Sequence, residues 1–352
     1  MIKYTQKVKE NTNKPERPIT MGNKKFYCVF DCETATLPFA NEIANGNPDL
    51  KKRIAIAKPI IYDAGWTICD RQGVIYDRKQ FLIAETFSVP AVFNTAYYAE
   101  KRPRYLEMLR NGETTVKPWH EVMEIFLTDL DQVDAVGAFN AMFDFKKAIP
   151  FTELYVNKLY SADYQEWEKG QRFFCQKIVN EKPRKDRNPD FEEDVFRFRG
   201  HAYNLFDLWG LATAHLLDNV TYKRECLQHN NISASGLYFK TSAETSYQYL
   251  CHKYDFIESH TALDDAEIET FILSKVAARH AVSLGIKFFP FRDLGTTVEF
   301  CKRKTVTVEE KTTVRVAISN YLENNAAKEG TAYYTQMLNH LAEIENMIEN
   351  AR

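Results

Sequence analysis

The stretch Phe26-Tyr27-Cys28-Val29-Phe30-Asp31-Cys32-Glu33-Thr34 decides how this chain is read. Its first five residues are apolar and rich in aromatics, which suits a short, buried central β-strand. Alternate side chains of a strand share a face, so Asp31 and Glu33 point one way while Phe30 and Cys32 point into the opposite layer. Two carboxylates thrust together from an apolar strand repel each other and resist desolvation. A divalent cation between them removes that cost. The plainer alternative is a strand end with one acid solvated.

Further along, Ile60–Cys69 and Val74–Ile83 are strand-like and are joined by Asp70-Arg71-Gln72-Gly73, which predicts an antiparallel hairpin after the first strand. Residues 95–115 are helical or irregular and locally basic, with Lys101, Arg102, Arg104 and Arg110. Trp119–Leu130 has the apolar spacing of a helix, and Ala135–Phe139 reads as another buried strand running into a helix near Asn140. Asn140 is suited to cap that helix, and Asp144 lies one turn later, near the carboxyl edge where open α/β sheets place their sites.

A third segment, Ser259–Ala266 (SHTALDDA), opens another helix, expected over Thr261–His280. Thr261 can serve as its N-cap, with Asp264 in a capping-box position. That gives Asp264 a structural role and leaves Asp265 free to turn towards the other carboxylates. His260 sits just before the helix, placed to take a proton from a bound water. Strands and helices interleave throughout, which predicts an α/β sheet domain with helices packed on it.

The remaining segments set boundaries. Residues 1–24 read as a disordered lead-in, 25–290 as the main domain, 38–58 as an inserted loop, 151–200 as an insertion, and 291–352 as a C-terminal extension. Within 151–200, Arg172–Val179 and Val195–Arg199 have strand character and mix basic with aromatic residues. That mixture suits a single nucleic-acid strand, although Asp186, Asp190 and Glu192 also fit a solvated hairpin. Tyr334, Met337, Leu341, Ile344 and Ile348 follow a 3-4-3-4 spacing. They predict an amphipathic helix that either packs on the body or mediates self-association or a protein partner.

The net charge of -2 and pI near 6.5 give no global footprint for nucleic acid, so phosphate contacts must come from a local basic patch. Seven scattered cysteines without a CxxC fit a reduced, cytoplasmic protein. Cys226 with His229, and Cys251 with His252, match no common zinc spacing. No secretory signal and no membrane-spanning apolar run is found, so no membrane partner is expected.

Taken together, the three segments are similar to the motifs of the DEDDh 3′–5′ exonucleases of the ribonuclease H-like superfamily. The family's D-x-E-T is matched by Asp31-Cys32-Glu33-Thr34, its N-A-x-F-D by Asn140-Ala141-Met142-Phe143-Asp144, and its H-x-A-L-x-D-A by His260–Ala266. The sister class carries Tyr where this chain has Thr261, so the match is to the histidine class. The resemblance covers roughly residues 25–285. It implies a mixed five-stranded sheet flanked by helices. It also implies two Mg²⁺ or Mn²⁺ ions held by Asp31, Glu33, Asp144 and Asp265, with His260 as general base. The expected reaction is release of nucleoside 5′-monophosphates from the 3′ end of single-stranded DNA or RNA, DNA slightly preferred. Thr34, Thr36, Phe139 and Asn140 are implied to touch the terminal nucleotide. Two of these depart from the pattern: relatives often have Gly at the Thr36 position and His at the Phe139 position. Residues 291–352 match no pattern we know.

Overall fold

The computed structural model describes residues 24–36, 40–50, 52, 59–161, 193–278, 281–287, 289–293 and scattered positions between 298 and 345. Residues 1–23 of the expected lead-in, the Arg172–Val179 ribbon, and Ile344 and Ile348 lie outside these residues. The chain forms two compact units, one of residues 1–212 with 246–288, the other of 213–245 with 289–352.

The first unit is built on a mixed sheet of seven strands: β1 Phe26–Ala35, β2 Ile60–Asp70, β3 Ile75–Ile83, β4 Thr115–Lys117, β5 Ala135–Ala138, β6 Val195–Phe198 and β7 His201–Asp207. Their spatial order is β4-β3-β2-β1-β5-β7-β6. β2 runs antiparallel to both β1 and β3, while β5 runs parallel to β1 and β7 runs parallel to β5. Seven strands among the described residues correct the expected five. A three-residue strand, β4, joins β3 at one edge, and β6 hairpins onto β7 at the other.

Four helices matter for the site: α1 Arg102–Asn111, α2 Trp119–Leu130, α3 Ile149–Ser161 and α4 Ala262–Val276. One face of the sheet presents Phe30 and Trp66, which meet Phe126 of α2 and the buried Phe145. Trp66 Nε1 donates to Asp129 Oδ2 at 2.9 Å, pairing the polar edge of a fully buried ring. The aromatic-rich apolar run of β1 is thus what fills this layer.

The opposite face carries α4. Register pairs Asp31 with Gly65 and Glu33 with Asp63, so both acids share a face with the residues beneath α4. A Cβ on Gly65 would lie 2.4 Å from the Leu263 nitrogen and 2.5 Å from the Ala262 carbonyl carbon. Only glycine lets the first turn of α4 rest directly on the sheet opposite Asp31. Further along, Thr67 and Thr270 share a buried hydroxyl–hydroxyl hydrogen bond of 2.6 Å.

In the second unit, the helix Val220–Gln228 is capped by Asn219, whose side chain accepts from the Thr221 N–H. Ile232 and Phe239 form an isolated antiparallel bridge, and Tyr238 packs against Phe291. The five described cysteines are all free. Among the described residues, no helix is long and apolar enough to cross a membrane.

Candidate metal centre

Asp31 and Glu33 project from β1 where it approaches its carboxyl end, both partly buried. A register shift between Glu33 and Thr34 interrupts the pairing with β2 just after the acids, and Thr34 and Ala35 resume it one residue out of step. Asp144 follows β5 and begins a π-helical stretch, Asp144–Ala148, ahead of α3. Such stretches frequently mark functional positions. Asp265 lies in the first turn of α4, buried at 7% exposure.

The structure brings these four acids into one electrostatic cluster. Burial pushes the Asp31 carboxyl well above its ordinary value, and the charges of Glu269, Asp265, Asp144 and Glu33 push it further. Burial with Asp265 and Asp63 raises Glu33, while Lys101 pulls it down. Asp144 is raised by burial to about 7, and Asp265 by burial and Glu258 to about 8. Crowded acids in a desolvated site resist ionisation together.

His260 stands at the mouth of the cluster. Its Nδ1 lies 3.8 Å from Asp265 Oδ2 and 4.0 Å from Glu258 Oε2. Potential ligand atoms of Glu33, His260 and Asp265 all fall within 4.8 Å of one another. Asp265 Oδ1 is buried and has no hydrogen-bond partner among the described residues. A buried carboxylate oxygen left without a donor is costly, and a cation would satisfy it. The carboxylate oxygens of Asp31, Glu33, Asp144 and Asp265 are hard donors of the kind that suits Mg²⁺ or Mn²⁺, with the His260 imidazole beside them. On these grounds the residues fit the implied metals.

Both loop residues of the motifs sit on left-handed backbone. Asn140 has φ 74° and ψ 53°, and His260 has φ 51°. Asn and His are among the non-glycine residues that best tolerate this region, and such strain concentrates at functional sites.

This geometry corrects two capping expectations. Asn140 occupies the N-cap position, but its side chain makes no capping bond. Asp207, at the end of β7, does the work instead: its Oδ1 accepts from the Ala141 N–H at 3.4 Å and the Trp209 N–H at 3.2 Å. Its Oδ2 accepts from the Lys287 N–H at 3.0 Å. Thr261 likewise makes no side-chain cap. Asp63 of β2 accepts from the Ala262 N–H at 3.0 Å and is itself held by Gln80 Nε2. A carboxylate at a helix N-terminus is also favoured by the helix dipole. Asp264 is turned away from the cluster, accepting from the hydroxyls of Ser259 and Thr261 and pairing with Arg104 at 2.7 Å.

The expected nucleotide-contacting residues divide. Thr34, Phe139 and Asn140 are partly exposed beside the acids. Thr36 is 1% exposed, and its backbone N–H and carbonyl are both bonded to the Thr95 hydroxyl. Thr36 therefore braces the end of β1.

Sequence reasoning missed several residues of this site. Glu269 is 3% exposed, faces Asp31, and accepts from the Phe139 N–H at 3.1 Å. Its spacing four residues after Asp265 was the available signal, since i and i+4 share a helix face. Cys32 donates its thiol to Asp144 Oδ1 at 3.1 Å. Tyr98 stacks on His260 with ring centroids 4.2 Å apart. No protein-family model, no curated protein and no solved structure matches the chain.

Proposed function

We propose that the chain is a metal-dependent 3′–5′ exonuclease of the DEDDh type, with a ribonuclease H-like core formed by β3-β2-β1-β5-β7. The observation that carries this reading is the meeting of Glu33, Asp265 and His260 within 4.8 Å, where an Asp265 carboxylate oxygen is buried with no hydrogen-bond partner among the described residues and the charges of Asp31 and Asp144 lie close by. The sheet order with β2 antiparallel, and the position of the acids at the carboxyl edge, support the same reading.

Asp31, Glu33, Asp144 and Asp265 would hold two Mg²⁺ or Mn²⁺ ions. Bound there, the ions would lower the pKa of a water and neutralise charge developing on the leaving 3′ oxygen. His260 takes the proton of the attacking water, its ring already turned towards Asp265. Thr34, Phe139 and Asn140 line the approach for the terminal nucleotide. The products are nucleoside 5′-monophosphates, and single-stranded DNA is the first substrate to try, RNA the second.

The test is a time course on 3′- and 5′-labelled DNA and RNA oligonucleotides with Mg²⁺ or Mn²⁺. The wild type should shorten substrates from the 3′ end, Asp31→Ala should be inactive, and His260→Ala should lose about 10²–10⁴-fold in kcat. Failure of the wild type to cleave any substrate, or an unimpaired Asp31→Ala variant, sinks the proposal. The competing reading is a nuclease-fold module that only binds nucleic acid or a protein partner; it predicts binding without metal-dependent cleavage.

A further inference from the structure

The basic segment at residues 98–105 grips the His260 loop at several points. Lys101 Nζ donates to the Ser259 carbonyl at 2.7 Å, Arg104 pairs with Asp264, and the Tyr105 hydroxyl donates to the His260 carbonyl at 3.4 Å. Tyr98 makes the most specific contact. Its ring lies nearly parallel to the His260 imidazole, at an interplanar angle of 16°, and its hydroxyl is 3.0 Å from His260 Nε2. Lys101 Nζ sits 4.3 Å from the centroid of the Tyr98 ring, which helps hold that ring in place.

The two nitrogens of His260 are thereby given different neighbours. Nε2 faces the Tyr98 hydroxyl, and Nδ1 faces Asp265 and Glu258. The Tyr98 hydroxyl can donate to Nε2 or accept from it, and either way it marks which edge of the ring is left to face the cluster.

We infer that Tyr98 is a positioning residue for His260, holding Nε2 and stacking on the ring so that Nδ1 is the nitrogen presented to the carboxylate cluster. The catalytic meaning of this inference rests on the exonuclease reading; its geometric content does not.

Tyr98→Phe keeps the stack and removes the hydroxyl, whereas Tyr98→Ala removes both. Two measurements are made on each variant. The first is kcat and KM on a 3′-labelled single-stranded oligonucleotide with Mg²⁺. The second is the ¹⁵N chemical shifts of the His260 ring in metal-free protein, assigned with His260→Gln. Losing the partner that orients a functional histidine typically costs 10–100-fold, so Tyr98→Phe should lower kcat about 10-fold with KM nearly constant. The His260 ring nitrogens should shift in the same variant. Tyr98→Ala should lose more kcat. Unchanged ring shifts in Tyr98→Phe overturn the inference whatever the kinetics, and so does an unchanged kcat in an active enzyme. If the wild type cleaves nothing, the exonuclease reading falls on its own, and the ring shifts still decide whether Tyr98 orients His260.

Discussion

At the scale of single residues, the cluster at Asp31 concentrates negative charge that the folded chain must accommodate. Asp144 and Asp265 are raised to about 7 and about 8 from an ordinary 3.8. The folded chain therefore retains protons that the unfolded chain has released. Stability of the metal-free protein should consequently fall as pH rises from about 4 to about 8, the reverse of a carboxylate held by a salt bridge. Denaturant midpoints measured in EDTA across that range check it, and a midpoint that rises with pH refutes it. Mg²⁺ should release protons on binding at pH 7, visible as a buffer-dependent heat in titration calorimetry. Glu269→Gln removes a carboxylate facing Asp31 while keeping an acceptor for the Phe139 N–H. In EDTA at pH 8 it should raise Tm by a few degrees, about 1 kcal/mol, and it should weaken Mg²⁺ binding. The acids and histidine named from the motifs were legible because their spacing is local. Glu269 was legible in principle through its i+4 spacing, but Cys32 and Tyr98 act through partners 112 and 162 residues away, and no local pattern records that.

Among elements, the first turn of α4 carries His260's neighbours and Asp265, and its seat on the sheet is set by two residues of β2. Gly65→Ala would drive a methyl into the backbone of Ala262 and Leu263, at an expected cost of about 3 kcal/mol. Asp63→Ala leaves the Ala262 N–H and the Gln80 amide without their acceptor, costing about 2 kcal/mol. Both should lower the chemical-denaturation midpoint and Mg²⁺ affinity together, because both displace Asp265; a stability loss with intact metal affinity would argue that α4 is held elsewhere. The hairpin of β2 and β3, the helix Trp119–Leu130 and the start of α4 were readable from periodicity and turn residues. Helix capping was not. Thr261 and Asn140 had the right chemistry in the right places, yet Asp63 and Asp207 cap from strands 199 and 66 residues distant. Of the two edge strands, β6 was read from Val195–Arg199, while β4 was missed because it is three residues long, too short for an alternating pattern to register.

For the whole molecule, bound Mg²⁺ should stabilise the native chain by mass action, about 2.7 kcal/mol at a hundred times its dissociation constant. A thermal shift that appears with Mg²⁺ and vanishes in Asp31→Asn checks this. The C-terminal pattern from Tyr334 calls for light scattering of the chain with and without residues 330–352: a lower mass per particle on truncation supports self-association, and an unchanged mass assigns the helix to intramolecular packing. The order of the chain through the first unit has a further consequence. β1 and β2 pair locally, but Asp265 and His260 arrive on a segment some two hundred residues after β2, once residues 213–245 have been placed in the other unit. During synthesis the sheet can assemble long before its acidic face is complete. A nascent chain halted before residue 260 would hold the β1 and π-stretch carboxylates with neither histidine nor α4, so any hydrolytic capacity should switch on abruptly, late in translation, rather than grow with chain length.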